Sequence, residues 1–220
     1  MTKLVVIGGS SGVGLACAKE ALARGYEVRM FARSATRSAL SHGRLERVDG
    51  DALIPADVDR ALDGANIVLQ TLGVPLDRRL ITGPITLFSE STAVLIPAME
   101  TAGITRLVAL TGFGAGDSNP AVSALQRPGF NLLLGKAYGD KGAQERLIES
   151  SALDWTIARP GVLRNGSKTG EYRVITDPAK WRNGVIRRAD VADFMVGAAV
   201  SGERIAQAPV LISHGLLPFT

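Results

Sequence analysis

One stretch near the start, Leu4-Val5-Val6-Ile7-Gly8-Gly9-Ser10-Ser11-Gly12-Val13-Gly14, constrains the fold more than any other. An apolar run without alternation reads as a strand covered on both faces, the habit of parallel sheets. It passes through glycines straight into a helical segment, 12–24. Strand, glycine loop and helix open a βαβ unit, and the alternation continues. Strands are expected at 3–7, 27–32, 45–48, 67–72, 106–111, 155–158 and 209–213. Helices are expected at 55–62, 85–102, 141–150 and 189–200. Pro55 suits a first helical turn, and Gly25, Gly64 and Gly103 each follow a helix end. The pattern predicts an α/β fold with an open, doubly wound parallel sheet of about seven strands.

Two regions interrupt the rhythm. Residues 112–139 read as a long glycine-bearing loop, and 161–188 as turns with a short hairpin at 171–176. Glycines 135, 139 and 142 argue that a regular helix begins only near Lys141. Long loops inside compact domains are usually functional, and both regions follow strands, so both emerge at the carboxyl edge where ligands bind.

Bulk properties narrow the class. The chain has 220 residues, 46% hydrophobic and 21% charged, which suits a single domain spanning 1–220 with a small C-terminal substrate-side segment. One cysteine, Cys17, excludes an intramolecular disulfide and a cysteine-rich metal site. No apolar run approaches the ~18–20 residues of a membrane helix. The first strand leaves no room for a leader, so a cytoplasmic protein without a membrane partner is expected. Net charge is +4, but the 25 basic residues are scattered, so nucleic acid is not an expected partner. Monomer and homodimer are both open.

The glycine loop carries the first functional signal. Gly8 would permit the tight turn off the strand. Gly12 would let a diphosphate approach the helix N-terminus, where N–H groups and the helix dipole favour an anion. Gly14 would let the helix pack closely on the sheet. Ser10, Ser11 and Val13 complete the candidate loop; an ordinary tight turn is the plain alternative. No Lys-Ser/Thr follows, which disfavours a P-loop. The tip of the second strand carries no acid to hold a ribose 2′-hydroxyl; it reads Arg33-Ser34-Ala35-Thr36-Arg37. Arg33, helped by Ser34 and Arg37, can bind a 2′-phosphate, so NADP(H) is favoured over NAD(H), unless the turn is simply solvated. Asp51 and Ala52 after strand three, and Leu72 and Gly73 after strand four, are further candidates with turn roles as alternatives.

With these residues the chain resembles the short-chain dehydrogenase/reductase superfamily, in its atypical NAD(P)-binding branch of flavin-reductase-like and NmrA-like proteins. The marks are Gly8–Gly14, Arg33, Gly50-Asp51, Thr111-Gly112, Lys141 with Glu145, the run from Ser151 to Gly161 ending Ala158-Arg159-Pro160-Gly161, and Ala189-Asp190-Val191-Ala192. The resemblance implies a Rossmann-type sheet with NADP(H) at its carboxyl edge. It implies that Pro160 and Gly161 pass the nicotinamide end, and that a substrate lies over it beneath the 112–139 loop. Asp190 is expected at a helix N-cap.

Standard members pair a strand-five hydroxyl with Tyr-x-x-x-Lys. Here Thr111 fits the hydroxyl position, but Tyr138 and Lys141 are three apart, not four. On a helix that changes direction by about 100°. Lys141 is kept as the cofactor residue and Tyr138 as a pocket residue or proton donor. Thr111, Lys141 and Tyr138 are the catalytic candidates; Gly112, Phe113, Leu125, Phe130, Leu132 and Tyr138 are the substrate-side ones. No other acid is evident, which suits flavins, quinones and similar planar acceptors, whose product anion is delocalised. The resemblance also leaves open a non-enzymatic NADP(H) sensor and a carbonyl reductase or epimerase.

Overall fold

A computed structural model describes residues 2–74, 85–122 and 127–214, the side chains of 127–134 excepted. The first half is a run of strand and helix: β1 (Lys3–Ile7), α1 (Gly12–Ala23), β2 (Glu27–Ala32), β3 (Leu45–Asp49), α2 (Pro55–Leu62) and β4 (Ile67–Gln70). Then come α3 (Leu87–Thr101), β5 (Arg106–Leu110), α4 (Arg127–Glu149) and β6 (Asp154–Pro160). The remainder holds β7 (Val162–Arg164), β8 (Tyr172–Ile175), β9 (Val185–Arg187), α5 (Arg188–Ser201) and β10 (Val210–Ser213).

Eight strands form one sheet in the order β3-β2-β1-β4-β5-β6-β10-β8. All neighbours pair in parallel except β8, which runs antiparallel to β10 at the edge. The order reverses between β1 and β4, leaving a crevice at their carboxyl ends. β7 and β9 form a separate parallel pair.

The apolar strand runs are explained by cover on both faces. Leu4, Val6, Met30 and Leu69 pack with Val13, Cys17, Val191 and Met195 of α1 and α5. Val5, Ile7, Val68 and Leu107 pack on the other side with Val58, Leu95, Met99 and Ile148 of α2, α3 and α4. Among the described residues no helix is long and apolar enough to cross a membrane.

Three expectations need correction. The helix expected from Lys141 begins at Arg127, so the 112–139 loop is shorter than the sequence suggests. Glycine costs a helix interior ~1 kcal/mol each, yet Gly142 sits close against the 116 segment: a Cβ there would lie 3.3 Å from the Gly116 backbone nitrogen, a tight contact. The 171–176 segment is one strand, β8, held by β10, rather than a hairpin. Asp190 is not an N-cap, since Arg187 holds that position. Its buried carboxylate instead accepts the N–H groups of Thr169 and Gly170 and the Thr169 hydroxyl.

Candidate functional site

At the carboxyl end of β1 the chain turns through Gly8, at φ +84°. Its N–H and that of Gly9 both donate to the Phe31 carbonyl, at 2.9 and 3.3 Å. A Cβ on Gly8 would sit 3.0 Å from the backbone of Thr71 and Leu72, so the end of β4 passes directly beside the loop. Gly14 faces the same spot from α1: a Cβ there would collide with the Gly8 carbonyl and the Thr71 hydroxyl. That hydroxyl donates to the Ile7 carbonyl at 2.8 Å.

Gly12 differs. It has φ +56°, and the place of its Cβ is open space. Ser11 caps α1 only by its backbone, and the first turn holds no acid. An uncapped helix N-terminus with open space before it is a cradle that fits a diphosphate. Ser10 and Ser11 border that space, while the Val13 side chain is buried in the core, leaving only its backbone to the cradle.

Past β2, Arg33 and Arg37 are exposed and Ser34 half-buried. The turn between them is held by Asp49, which accepts the Thr36 N–H at 2.9 Å and the Thr36 hydroxyl at 2.6 Å. Those bonds hold the Asp49 carboxyl below its usual range. Asp49 follows from no spacing rule; it meets the turn because β3 pairs with β2, Asp49 opposite Ala32. Asp51 turns its carboxylate to the Leu53 N–H at 3.0 Å, Ala52 is buried, Leu72 half-buried and Gly73 exposed.

The second half of the site lies where β5 ends. The Thr111 hydroxyl donates to Glu145 Oε1 at 2.6 Å, and its carbonyl accepts from Lys141 Nζ, also at 2.6 Å. The Lys141 ammonium lies 4.6 Å from the centre of the Phe88 ring and 6.0 Å from that of Tyr138. Burial lowers the Lys141 pKa to about 8, against the opposing pull of Glu145 and Asp140. Burial likewise raises Tyr138 to about 12. The Tyr138 hydroxyl crosses over Gly112, where a Cβ would meet it at 2.6 Å. Asp140 anchors α3 to α4 by accepting the Phe88 N–H at 2.8 Å, and also the Ser89 hydroxyl. A groove of about 220 Å³ starts at Tyr138, with Gly135, Gly139, Gly142 and Arg146 on one wall and Gly114, Gly116 and Asn119 on the other.

The substrate-side candidates fare unevenly. Phe113 is 4% exposed and packs with Val122, Val210 and Ile212, so its side chain serves the core, not a lid. Leu125 lies outside the described residues, and Phe130 and Leu132 lie on α4, where only the backbone is described. Pro160 is buried. Gly161 is needed where the chain crosses Gly184, whose carbonyl a Cβ would strike. Phe88, Asp117 and Trp181 join this edge through contacts distant in sequence, which no local pattern announces. Cys17 is fully buried with its thiol pKa raised by burial, as an inert core group.

Comparison with known proteins places this geometry. A family model described as NAD(P)H-binding matches residues 8–201. The structure of ChuY, an anaerobillin reductase from Escherichia coli O157:H7, is 29% identical, covers 100% of both chains and superposes with a TM-score of 0.82. A short-chain dehydrogenase/reductase from Veillonella parvula DSM 2008, solved in complex with NADP, covers 100% of this chain and 99% of its own, with a TM-score of 0.80. At 16% identity that likeness is one of fold. A Bacillus subtilis (strain 168) protein named as an uncharacterized sugar epimerase, YhfK, is 26% identical over 76% of this chain and 74% of its own. The family match over residues 8–201, on a glycine turn and close-packed α1 of this kind, shows that the chain belongs to the NAD(P)H-binding family of Rossmann-fold proteins.

Proposed function

We propose that the chain is an NADPH-dependent reductase of a flavin, quinone or similar planar acceptor. The observation that carries this reading is the Thr111 hydroxyl, whose one proton is donated to Glu145 and so is not offered to a substrate carbonyl. With it engaged, the relay of hydroxyl, tyrosine and lysine that serves carbonyl chemistry is not assembled. Bound NADPH supplies the hydride. The chain's own part is to bind, orient and exclude water. The 8–14 loop and the α1 N-terminus hold the diphosphate, and Arg33 with Ser34 and Arg37 holds the 2′-phosphate. Lys141, fixed on the Thr111 carbonyl, serves the ribose. Tyr138 stays protonated at neutral pH and walls the groove. A planar acceptor's reduced anion is delocalised, so water suffices to protonate it. The reductase named among the similar structures, at 29% identity over the full length, supports the same class.

A second reading, a carbonyl reductase or epimerase, is favoured by the Tyr138 hydroxyl over Gly112 close to Lys141. NADPH oxidation measured with FMN, riboflavin and a quinone panel separates the two. Turnover with a planar acceptor is expected, and Tyr138→Phe should stay within about threefold of the parent, whereas an essential acid would lose ~10²–10⁴. No turnover with any acceptor, beside micromolar NADP+ binding, would refute the reductase reading and leave a nucleotide sensor.

A further inference from the structure

A fully buried cation, Arg159, sits at the carboxyl end of β6 between the two segments that follow β5 and β6. Its guanidinium forks onto Glu145 of α4, Nε to Oε1 at 3.0 Å and Nη2 to Oε2 at 2.8 Å. Such a bidentate pair already balances the buried charge. Yet Nη1 also meets the Asp117 carboxylate at 2.5 Å, although Asp117 is 69% exposed. The guanidinium also lies over the Trp181 ring, 5.2 Å from its centre.

One of these extra partners sits in a wall segment of the groove, and the other backs the guanidinium from outside it. Asp117 lies in the short 3-10 segment Gly116–Ala121, and Gly114, Gly116 and Asn119 form the wall facing Tyr138. Gly116 at φ +50° leaves room for the Glu145 carboxylate, which a Cβ would strike. Trp181 follows the turn Pro178–Lys180, donates its indole N–H to the Ile175 carbonyl at 3.1 Å, and packs with Phe113 and Val122. One guanidinium thus touches α4, the 116–121 wall and the 178–181 turn. Without it, Glu145 and Asp117 would face each other as like charges, with Glu149 beyond at 4.0 Å from the vacated nitrogen.

We propose that Arg159 is a positioning residue that sets the width of the acceptor groove, holding the 116–121 wall and the 178–181 turn against α4. The proposal rests on reading that groove as the acceptor side of a reductase. Asp117→Asn is the first test, because an exposed site tolerates the change. It should raise the acceptor KM about fivefold or more, leaving kcat, NADP+ affinity and Tm near those of the parent. Arg159→Met should shift the acceptor KM further and lower Tm. Arg159→Lys should not restore KM, since an ammonium cannot serve both Glu145 oxygens and Asp117 together. Hydrogen exchange gives a readout that needs no turnover: amides of 114–121 should exchange faster in both Asp117→Asn and Arg159→Met, those of 8–14 at the parent rate. If the parent reduces no acceptor, the reductase reading fails, while exchange still decides the clasp. Unchanged exchange at 114–121 in Asp117→Asn would overturn it, as would an Arg159→Met that weakens acceptor and NADP+ by one factor.

Discussion

The two halves of the site face the same end of the sheet and are built on opposite terms. The 8–14 cradle is made of backbone: Gly8 and Gly14 leave no room for a side chain against the backbone of 71–72 and the Gly8 carbonyl, while Gly12 has a left-handed φ that favours glycine and open space before it. The edge of β5 is made of side chains, where Thr111, Glu145, Arg159, Lys141 and Phe88 hold one another. The glycines of that edge meet side chains where those of the cradle meet mostly backbone: Gly112 the Tyr138 hydroxyl and Gly116 the Glu145 carboxylate. Gly139 of α4 lines the groove, and a Cβ there would enter open space. A backbone site is hard to retune by substitution at its close-packed glycines. A side-chain site can be retuned, and that is where relatives of this fold part company in chemistry.

The comparison breaks most violently at Gly14. An alanine methyl there has no space between the Gly8 carbonyl and the Thr71 hydroxyl, both fixed by the β1–β4 pairing. Overpacking costs ~1–3 kcal/mol, and a backbone neighbour puts Gly14→Ala at the upper end. For a chain of this length that is a fall in Tm of roughly 6–12 °C. NADP+ binding should fail together with stability, read by calorimetry and thermal melts on the same sample. A Gly14→Ala protein with unaltered Tm would mean that α1 does not sit as described.

Next in size is Arg33→Ala, which removes the guanidinium proposed to hold a 2′-phosphate and leaves the cradle's shape intact. Hydrogen bonds to a charged group are worth ~1.5–3 kcal/mol, so NADPH should bind about 10–100-fold more weakly. NADH should lose less than about twofold, because it offers no 2′-phosphate for the guanidinium. Equal losses for both would show that the basic turn is only solvated.

What was legible in the sequence follows the same division. β1, β2 and α2 fall where the apolar runs and Pro55 put them, because strand burial and helix starts are local signals. The three glycines of the cradle are local for the same reason. The first half of α4 was hidden because three glycines argue against helix by propensity, while Gly142 packs closely on Gly116, a contact between segments separated in the chain. Phe113 looks like a lid residue beside its glycines, yet its burial depends on Val210 and Ile212 of β10, nearly a hundred residues later. Thr111 matches a catalytic hydroxyl by position, and only the fold reveals its hydrogen bond to Glu145. No spacing rule joins partners brought together by the order of strands.

The smallest effect sharpens the side-chain half. Lys141 titrates at about 8 in the folded chain because burial disfavours its charge, against about 10.4 unfolded. Below pH 8 both states hold the proton, and the native state carries the buried charge at full cost. As pH rises past 8 the folded chain releases its proton first, so the unfolded state binds more protons and stability climbs toward pH 10.4. Tyr138 works the other way but only above about pH 10, where the unfolded phenol ionises before the folded one, raised to about 12. Between pH 8 and 9.5 the lysine therefore acts without the tyrosine. Lys141 keeps partial access to solvent and a hydrogen bond to the Thr111 carbonyl, which reduces the gain over that window to about 1 kcal/mol. Urea unfolding of the parent and of Lys141→Met across these pH values should differ by that slope, flat below pH 8 and rising above it. Parallel curves would mean that the ammonium is solvated, and the β5 edge would then be as open as the mouth of the cradle.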